Sequence, residues 1–284
     1  MSINSFEFNA EPVNIMLEIG EITICIRSTN KNLLDTARVH YKKFISHGTN
    51  PLINIDIHLA PKIYFPNPDG TDDFFNHHHF QDNKCFVKSN YFTGCIDIEK
   101  NYGKLVINES NPFSWLEHFL RISYAVIALK YEAILFHGAG LVADDNGYVF
   151  FGPSGIGKST VTNLSRRCTV LGDDLIVIKP DTGSFNVYAS PFNHKENGFL
   201  LSNSKAKIKR IYRLIQDNRT FFTRIKPAKA MAELLSNIPA VNKNNNGSVK
   251  AINLCTQIVS EVPCYELHFT KDNSFWRMIN GKSQ

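Results

Sequence analysis

The sequence predicts a mixed α/β fold (α+β) in which a β-rich N-terminal region precedes a core with a glycine-rich loop between a strand and a helix. Most apolar runs are short, β-prone and bounded by turn residues, and only a few longer segments repeat apolar residues at helical spacing. One strand-like run, Tyr148 to Phe151, enters the glycine-rich segment Gly152 to Ser159, and a helix start follows it. We place the boundary near Tyr131, which gives residues 1–130 and residues 131–284.

The N-terminal part is predicted to contain a hairpin, a helix and further strands. The two apolar runs VNIMLEI and ITICI flank Gly20, as in a β-hairpin. Residues 30–45 space their apolar side chains as a helix does, with Asn30 or Asn32 as the N-cap. The remaining predictions are a strand at 54–59, a loop at 61–82 that contains His77 to His79, and strands at 85–88, 91–98 and 104–107.

The strongest helix signal lies at Ser114 to Tyr131, where Ser114 and Glu117 form a capping-box pattern. Strand-like runs follow on both sides of the glycine-rich segment, and Pro227 opens a short helix over Ala228 to Leu235. The later predictions are strands at 133–136, 148–151, 169–171, 175–178, 185–188, 208–215, 221–225, 252–259 and 265–269, with a mobile loop at 241–247.

Composition excludes several classes of protein. The 284 residues are 43% hydrophobic, so the chain can bury a core, and its net charge of +5 is too small to indicate nucleic acid binding. The six cysteines form no CxxC pair and no zinc spacing, which is typical of reduced thiols in a cytosolic protein. The N-terminus does not resemble a signal peptide, and no apolar run approaches the ~20 residues that span a bilayer. We expect a cytoplasmic protein with no nucleic acid or membrane partner.

The segment GPSGIGKS matches the P-loop pattern G-x-x-x-x-G-K-[ST] at every fixed position. Glycines allow the tight turn that points backbone N–H groups at phosphate oxygens, and the following helix adds its positive dipole end. Lys158 is expected to reach the β- and γ-phosphates and Ser159 to ligate Mg²⁺, so the predicted ligands are ATP and Mg²⁺. A glycine turn that merely joins a strand to a helix is the alternative. The expected nucleotide-binding residues are Gly152, Pro153, Ser154, Gly155, Ile156, Gly157, Lys158, Ser159 and Thr160.

Two adjacent carboxylates, Asp173 and Asp174, follow Lys158 after only 15 residues. Such a pair can divide two tasks, because one carboxylate can hold the metal while the other takes a proton from a hydroxyl nucleophile. An ordinary Gly-Asp-Asp turn is the alternative. His137 ends an apolar strand 15 residues before Gly152 and is a candidate to touch the γ-phosphate or the hydroxyl. Taken alone, a histidine there is more often part of a core or a turn.

His137-Gly138, the glycine-rich segment and the Asp173-Asp174 pair together resemble the HPr kinase/phosphorylase family and, more remotely, ATP-dependent phosphoenolpyruvate carboxykinase. The shorter HPr-kinase-like proteins of peptide-modification gene clusters, some of which phosphorylate the C-terminal serine of lasso-peptide precursors, are similar as well. The resemblance covers roughly residues 132–235 and is specific over residues 137–174. It implies a PEP-carboxykinase/HPr-kinase-like core, a serine of a peptide or protein as phosphate acceptor, and a family whose members form homo-oligomers.

The resemblance also implies a role for each site residue. Asp173 would be the general base towards the serine hydroxyl, Ser159 and Asp174 would hold Mg²⁺, and His137 would lie beside the base and the γ-phosphate. The roles of the two aspartates are interchangeable at this point. The N-terminal part, which shows no chemistry of its own, is assigned to substrate recognition.

The stretch from Tyr188 to Asn197 departs from the bifunctional HPr enzymes, because it lacks their glycine-rich signature. Two interpretations of this stretch are open. Glu196 could replace the missing carboxylate and Lys195 or His194 the missing cation, or the stretch is a solvated loop. The departure argues against HPr as substrate and against phosphorolysis. The sequence therefore predicts an ATP- and Mg²⁺-dependent serine kinase. The alternatives are a regulatory protein that binds or slowly hydrolyses ATP, and a bifunctional kinase/phosphorylase.

Overall fold

The computed structural model describes residues 7–61, 63–66, 76–193, 203–239 and 245–280. The chain divides into two compact units, Met1–Tyr131 with Asn242–Asn245, and Glu132–Val241 with Asn246–Gln284. Each unit is built on one β-sheet, and helices are few, so the mixed α/β class is confirmed. His194, Lys195 and Glu196 lie outside the described residues.

The first unit contains a seven-stranded sheet in the order β1-β2-β3-β7-β6-β5-β4. β3 pairs in parallel with β2 and β7, and every other neighbouring pair is antiparallel. Two helices, α1 and α2, pack on this sheet, and a 3₁₀ turn at Ala128–Tyr131 follows α2. The elements are β1 (Val13–Ile19), β2 (Ile22–Ser28), α1 (Lys31–His40), β3 (Ile53–Ala60), β4 (Asn76–Gln81), β5 (Lys84–Ser89), β6 (Phe92–Asp97), β7 (Tyr102–Asn108) and α2 (Pro112–Ile127).

Two predictions for the first unit are wrong. α2 begins at Pro112 rather than after Ser114, and its N-cap residue Asn111 makes no side-chain cap. Proline at the first helical position needs no N–H partner and sets φ for the helix, so it displaces the capping box. His77 to His79 lie in β4, which pairs with β5 at the edge of the sheet, although the sequence predicted a loop. Their polar character reflects this exposed edge position.

In the described residues, the second unit contains an eight-stranded sheet and four helices. β8 and β9 form a hairpin, and β9 continues into the glycine-rich segment. The elements are β8 (Ile134–Ala143), β9 (Asn146–Phe151), α3 (Lys158–Leu164), β10 (Thr169–Gly172), β11 (Leu175–Asp181), β12 (Ser184–Tyr188), β13 (Lys205–Gln216), β14 (Phe221–Arg224), α4 (Pro227–Leu235), α5 (Asn245–Glu261), β15 (Cys264–Phe269) and α6 (Ser274–Ile279).

Strand pairing closes a ring within the second unit. β8 pairs with β9, β9 with β13, β13 with β12, β12 with β11, and β11 again with β8. β9 is therefore hydrogen-bonded along both of its edges, to β8 and to β13. β13 extends beyond the ring and pairs in parallel with β15, so β9, β13 and β15 run in the same direction. A core cluster that includes Phe150, Val161, Leu214, Phe269 and Phe275 joins these strands to α3 and α6.

The predicted strand at 252–259 is wrong, because these residues belong to α5. The buried positions of this segment are spaced three and four residues apart, as on one face of a helix, namely Ala251, Leu254, Cys255 and Ile258. This spacing outweighs the strand preference of the β-branched residues in the segment. Part of the predicted loop at 241–247 lies outside the described residues, and α5 begins at Asn245. α6 was not predicted.

All six cysteines are free, and four of them, Cys25, Cys85, Cys255 and Cys264, are buried. Within the described ranges, no helix has the length and apolar character that crossing a membrane requires.

The N-cap of α1 gives a direct stability test. Asn30 Oδ1 accepts the Leu33 N–H at 2.9 Å, whereas the Asn32 side chain is exposed. Asn30→Ala should lower the free energy of unfolding by about 1 kcal/mol, because a helical N–H loses its acceptor. Asn32→Ala is the matched control and should change it by less than about 0.5 kcal/mol. Urea unfolding followed by Trp115 fluorescence in a Trp276→Phe background measures both, and equal effects would contradict the assignment.

Candidate active site

The candidate site lies where three parallel strands of the second unit end. β9, β13 and β15 are neighbours in the sheet, and their carboxyl ends are at Phe151, Gln216 and Phe269. Crevices beyond the carboxyl ends of parallel strands are the usual binding sites of α/β sheets. Residues 152–157, here called the glycine loop, leave β9 at this edge and lead into α3.

The glycine loop is held by the two neighbouring strands. Gln216 Nε2, at the end of β13, donates to the carbonyls of Gly155 and Ile156, both at 3.1 Å. On the β15 side, Gly157 has φ +118°, and a Cβ there would stand 2.8 Å from Phe269 Cζ. Both the backbone angle and the aromatic ring therefore require glycine at position 157. These contacts define the path of the loop on both sides.

Lys158 turns its ammonium group back into the glycine loop. Its Nζ donates to the carbonyl of Gly152 at 3.0 Å, and the carbonyl of Pro153 lies 3.4 Å away. The side chain is buried, and this burial lowers the pKa of Lys158, while the charges of Asp174 and Asp173 oppose the shift. A desolvated cation within a loop of backbone dipoles is a strong attractor for an anionic ligand.

The Asp173-Asp174 turn is fixed by the side chain of Asn193. Asn193 Oδ1 accepts three consecutive N–H groups, from Asp173 at 3.0 Å, Asp174 at 3.0 Å and Leu175 at 3.1 Å. A Cβ on Gly172 would stand 2.7 Å from this oxygen, so glycine is needed there for Asn193 to approach. Three N–H groups that share one oxygen hold the backbone of the turn that carries both carboxylates.

His137 meets the second carboxylate of the pair. His137 Nε2 lies 3.2 Å from Asp174 Oδ1, and the neighbouring Gly138 N–H donates to the Asp174 carbonyl at 3.0 Å. The His137 backbone N–H donates to the Asn237 carbonyl at 2.8 Å, just after α4. His137 therefore contacts Asp174, one of the two carboxylates whose roles the resemblance leaves interchangeable.

The other predicted residues lie along the loop and the first turn of α3. Pro153, Ser154, Gly155 and Ser159 are exposed, and within the described part of the chain the Ser159 hydroxyl makes no hydrogen bond. A free hydroxyl, an aspartate and a buried lysine provide the donors and charges that Mg²⁺ and nucleotide phosphates require, so the residues fit these ligands. No group of three or more His, Cys, Asp or Glu side chains with metal-binding geometry occurs among the described residues.

Sequence reasoning missed two side chains that organise the site. Asn193 lies in the stretch from Tyr188 to Asn197, which was interpreted only through the absence of a glycine-rich signature. Asparagine shortly after a strand is a common acceptor for turn N–H groups, and this was the available signal. Gln216 directly follows the strand predicted at 208–215, but nothing in the sequence indicates that its side chain reaches a residue 60 positions away.

No protein-family model matches the sequence, and no curated protein is similar to it. Among solved structures, the HPr(Ser) kinase/phosphatase from Coxiella burnetii is matched at 12% identity, over 52% of this chain and 95% of that chain. The TM-score of this match is 0.32, which marks a remote similarity.

Substitution of Asn193 tests its role in the turn. Asn193→Ala should lower the free energy of unfolding by about 2–4 kcal/mol and raise amide exchange at residues 173–175, because three N–H groups lose their acceptor. Asn186→Ala removes a single bond, from Asn186 Nδ2 to Asp181 at 2.9 Å, and should cost about 1 kcal/mol. Denaturant unfolding and hydrogen exchange measure both. Unchanged exchange at residues 173–175 would show that Asn193 does not hold the turn.

Proposed function

We propose that the protein is a kinase that transfers the γ-phosphate of Mg-ATP to a hydroxyl group, most directly the serine hydroxyl of a peptide or protein. The observation that carries the proposal is that Asn193 holds the backbone of the turn bearing Asp173 and Asp174, whose charges favour the charged form of the buried Lys158 that follows the glycine loop. A phosphate-binding cation next to a metal ligand and a proton acceptor is the minimal set for phosphoryl transfer.

The proposed reaction assigns one task to each side chain. Lys158 and the glycine-loop N–H groups bind the phosphates. Ser159 and Asp174 would hold Mg²⁺, which would supply further neutralisation of the phosphate charge. Asp173 accepts the hydroxyl proton as the oxygen–phosphorus bond to the acceptor forms, and the bond to the β-phosphate oxygen breaks to release ADP. His137 supports the assignment of Asp174 to the metal, because metal-binding carboxylates are commonly oriented by a hydrogen-bonding partner.

The identity of the acceptor belongs to the proposal as well. The resemblance of residues 137–174 to kinases of peptide and protein serines favours a serine hydroxyl as the acceptor. The more specific version of the proposal is that this serine is the C-terminal residue of a precursor peptide. The first unit is proposed to recognise the acceptor. A chain without residues 1–130 that still labels its physiological acceptor at the full rate would contradict that assignment.

Label transfer from γ-labelled ATP tests the proposal. Wild type is incubated with Mg²⁺, a panel of serine-ended peptides and any small peptide encoded beside the gene. Lys158→Ala should reduce labelling at least ~100-fold, because the principal positive charge on the phosphates is removed. Asp145→Asn, in the exposed β8–β9 turn, is the matched control and should keep the wild-type rate. ATP binding or slow hydrolysis without labelling of any acceptor would favour the regulatory alternative.

The two aspartates should differ in phenotype. Asp173→Asn should reduce the transfer rate by ~10²–10⁴-fold while ATP affinity stays within about threefold, because only proton acceptance is lost. Asp174→Asn should instead raise the Mg²⁺ concentration for half-maximal transfer by about tenfold or more. Magnesium titrations of both variants measure this difference. Exchanged phenotypes would reverse the two roles, and wild-type transfer by both variants would contradict the proposed chemistry.

A further inference from the structure

A cavity of the second unit lies at the opposite end of α3 from the glycine loop. Its volume is about 780 Å³, and it is bounded by the end of α3, the turn that follows it, α6 and the β8–β9 turn. Cavities of this size accommodate small organic ligands. We call it the α3–α6 pocket. α3 has seven residues, so its two ends are about 10 Å apart along the helix axis.

Three arginines line the α3–α6 pocket, namely Arg166, Arg167 and Arg277. All three are exposed, and none makes a hydrogen bond or ion pair within the described part of the chain. Asp144 is the one carboxylate among the lining residues. Asp272, which precedes α6, accepts hydrogen bonds from Thr270 and Ser274, both at 2.7 Å. The bonds from Ser274 and Thr270, and more weakly the charge of Arg277, lower the pKa of Asp272, so this carboxylate offsets part of the charge of Arg277. The pocket therefore carries an excess of positive charge with guanidinium donors available.

Arg166 and Arg167 do not cap the C-terminus of α3. α3 ends at Leu164, and Ser165 serves as its C-cap, with its N–H donating to Thr162 O at 3.1 Å. The Ser165 hydroxyl donates to Val161 O at 2.6 Å, so Ser165 alone satisfies two carbonyls of the last turn. The guanidinium groups remain available to a ligand, although their charge is favourable beside the helix C-terminus.

Trp276 gives the pocket a rigid apolar wall. Its indole Nε1 donates to Ser165 Oγ at 2.8 Å, and its ring meets Tyr148 edge-on with a centroid distance of 5.3 Å. The indole is thereby fixed between the end of α3 and β9. A rigid aromatic surface beside guanidinium groups suits a ligand with both an anionic and an organic part.

We propose that the α3–α6 pocket binds a phosphate-bearing small molecule, with its phosphate against Arg166, Arg167 and Arg277 and its organic part against Trp276. Guanidinium groups match phosphate oxygens in charge and in hydrogen-bond geometry. The lining residues do not include any residue of the glycine loop or either aspartate of the Asp173-Asp174 pair. This site does not depend on the proposed kinase activity.

Tryptophan fluorescence tests the site, because the chain has only two tryptophans. Trp115→Phe leaves Trp276 as the single fluorescent reporter. Lys158→Ala in the same chain removes the lysine that follows the glycine loop, so that phosphate binding at the candidate active site is weakened. Inorganic phosphate, glucose 6-phosphate and AMP are titrated separately at constant ionic strength. We expect a saturable change in Trp276 emission with at least one of them. Tighter binding of glucose 6-phosphate or of AMP than of inorganic phosphate identifies the organic part. Equal affinities for all three probes overturn the placement of an organic part against Trp276.

Variants at the arginines decide whether the pocket is responsible. Arg166→Ala and Arg277→Ala should each weaken binding about tenfold, because one charge-assisted hydrogen bond is lost, and Arg277→Lys should retain part of the affinity. Arg224→Ala, which removes an exposed arginine of β14 outside the pocket lining, is the matched control. The proposal is overturned if none of the three probes produces a saturable change, or if the change persists at full affinity in Arg166→Ala and Arg277→Ala.

Discussion

The candidate site depends on a single side-chain oxygen, Asn193 Oδ1, which accepts three consecutive backbone N–H groups at 3.0–3.1 Å. Asn193 is itself fixed, because its Nδ2 donates to Ser190 O at 2.7 Å and the Ser190 hydroxyl donates to Leu175 O at 2.7 Å. Two short segments, 173–175 and 190–193, therefore hold each other. Through the Asp174 carbonyl and carboxylate, the same arrangement reaches β8 at Gly138 and His137.

The positive charge of Lys158 is buried, and neighbouring groups compensate part of the cost of removing it from water. Lys158 loses water on burial, which disfavours its charge, and backbone carbonyls with two nearby aspartates restore part of the lost stabilisation. The uncommitted Ser159 hydroxyl stands beside this cation at the start of α3. Positive charge is thus concentrated at the loop while oxygen ligands are retained at its edge, and both features follow from one strand–loop–helix segment.

The parts of the structure that the sequence predicted are those encoded locally. The hairpin of β1 and β2, the order of β9, glycine loop and α3, and the helix opened by Pro227 each depend on neighbouring residues. Asn193 escaped prediction because its partners lie 18 to 20 positions away, and Gln216 because it contacts residues 60 and 61 positions away. The strand prediction at 252–259 was wrong because a short apolar run with β-branched residues fits a buried strand as well as a helix. Packing against the core favoured the helix.

The pairing of β9 along both edges has a consequence for synthesis of the chain. The hairpin of β8 and β9 is local and can form early, but β13 arrives more than 50 residues later and β15 later still. Until β13 and β15 have left the ribosome, the glycine loop lacks both Gln216 and Phe269, which hold it in the complete structure. A nascent chain therefore displays the phosphate-binding sequence long before it can shape that sequence into a site.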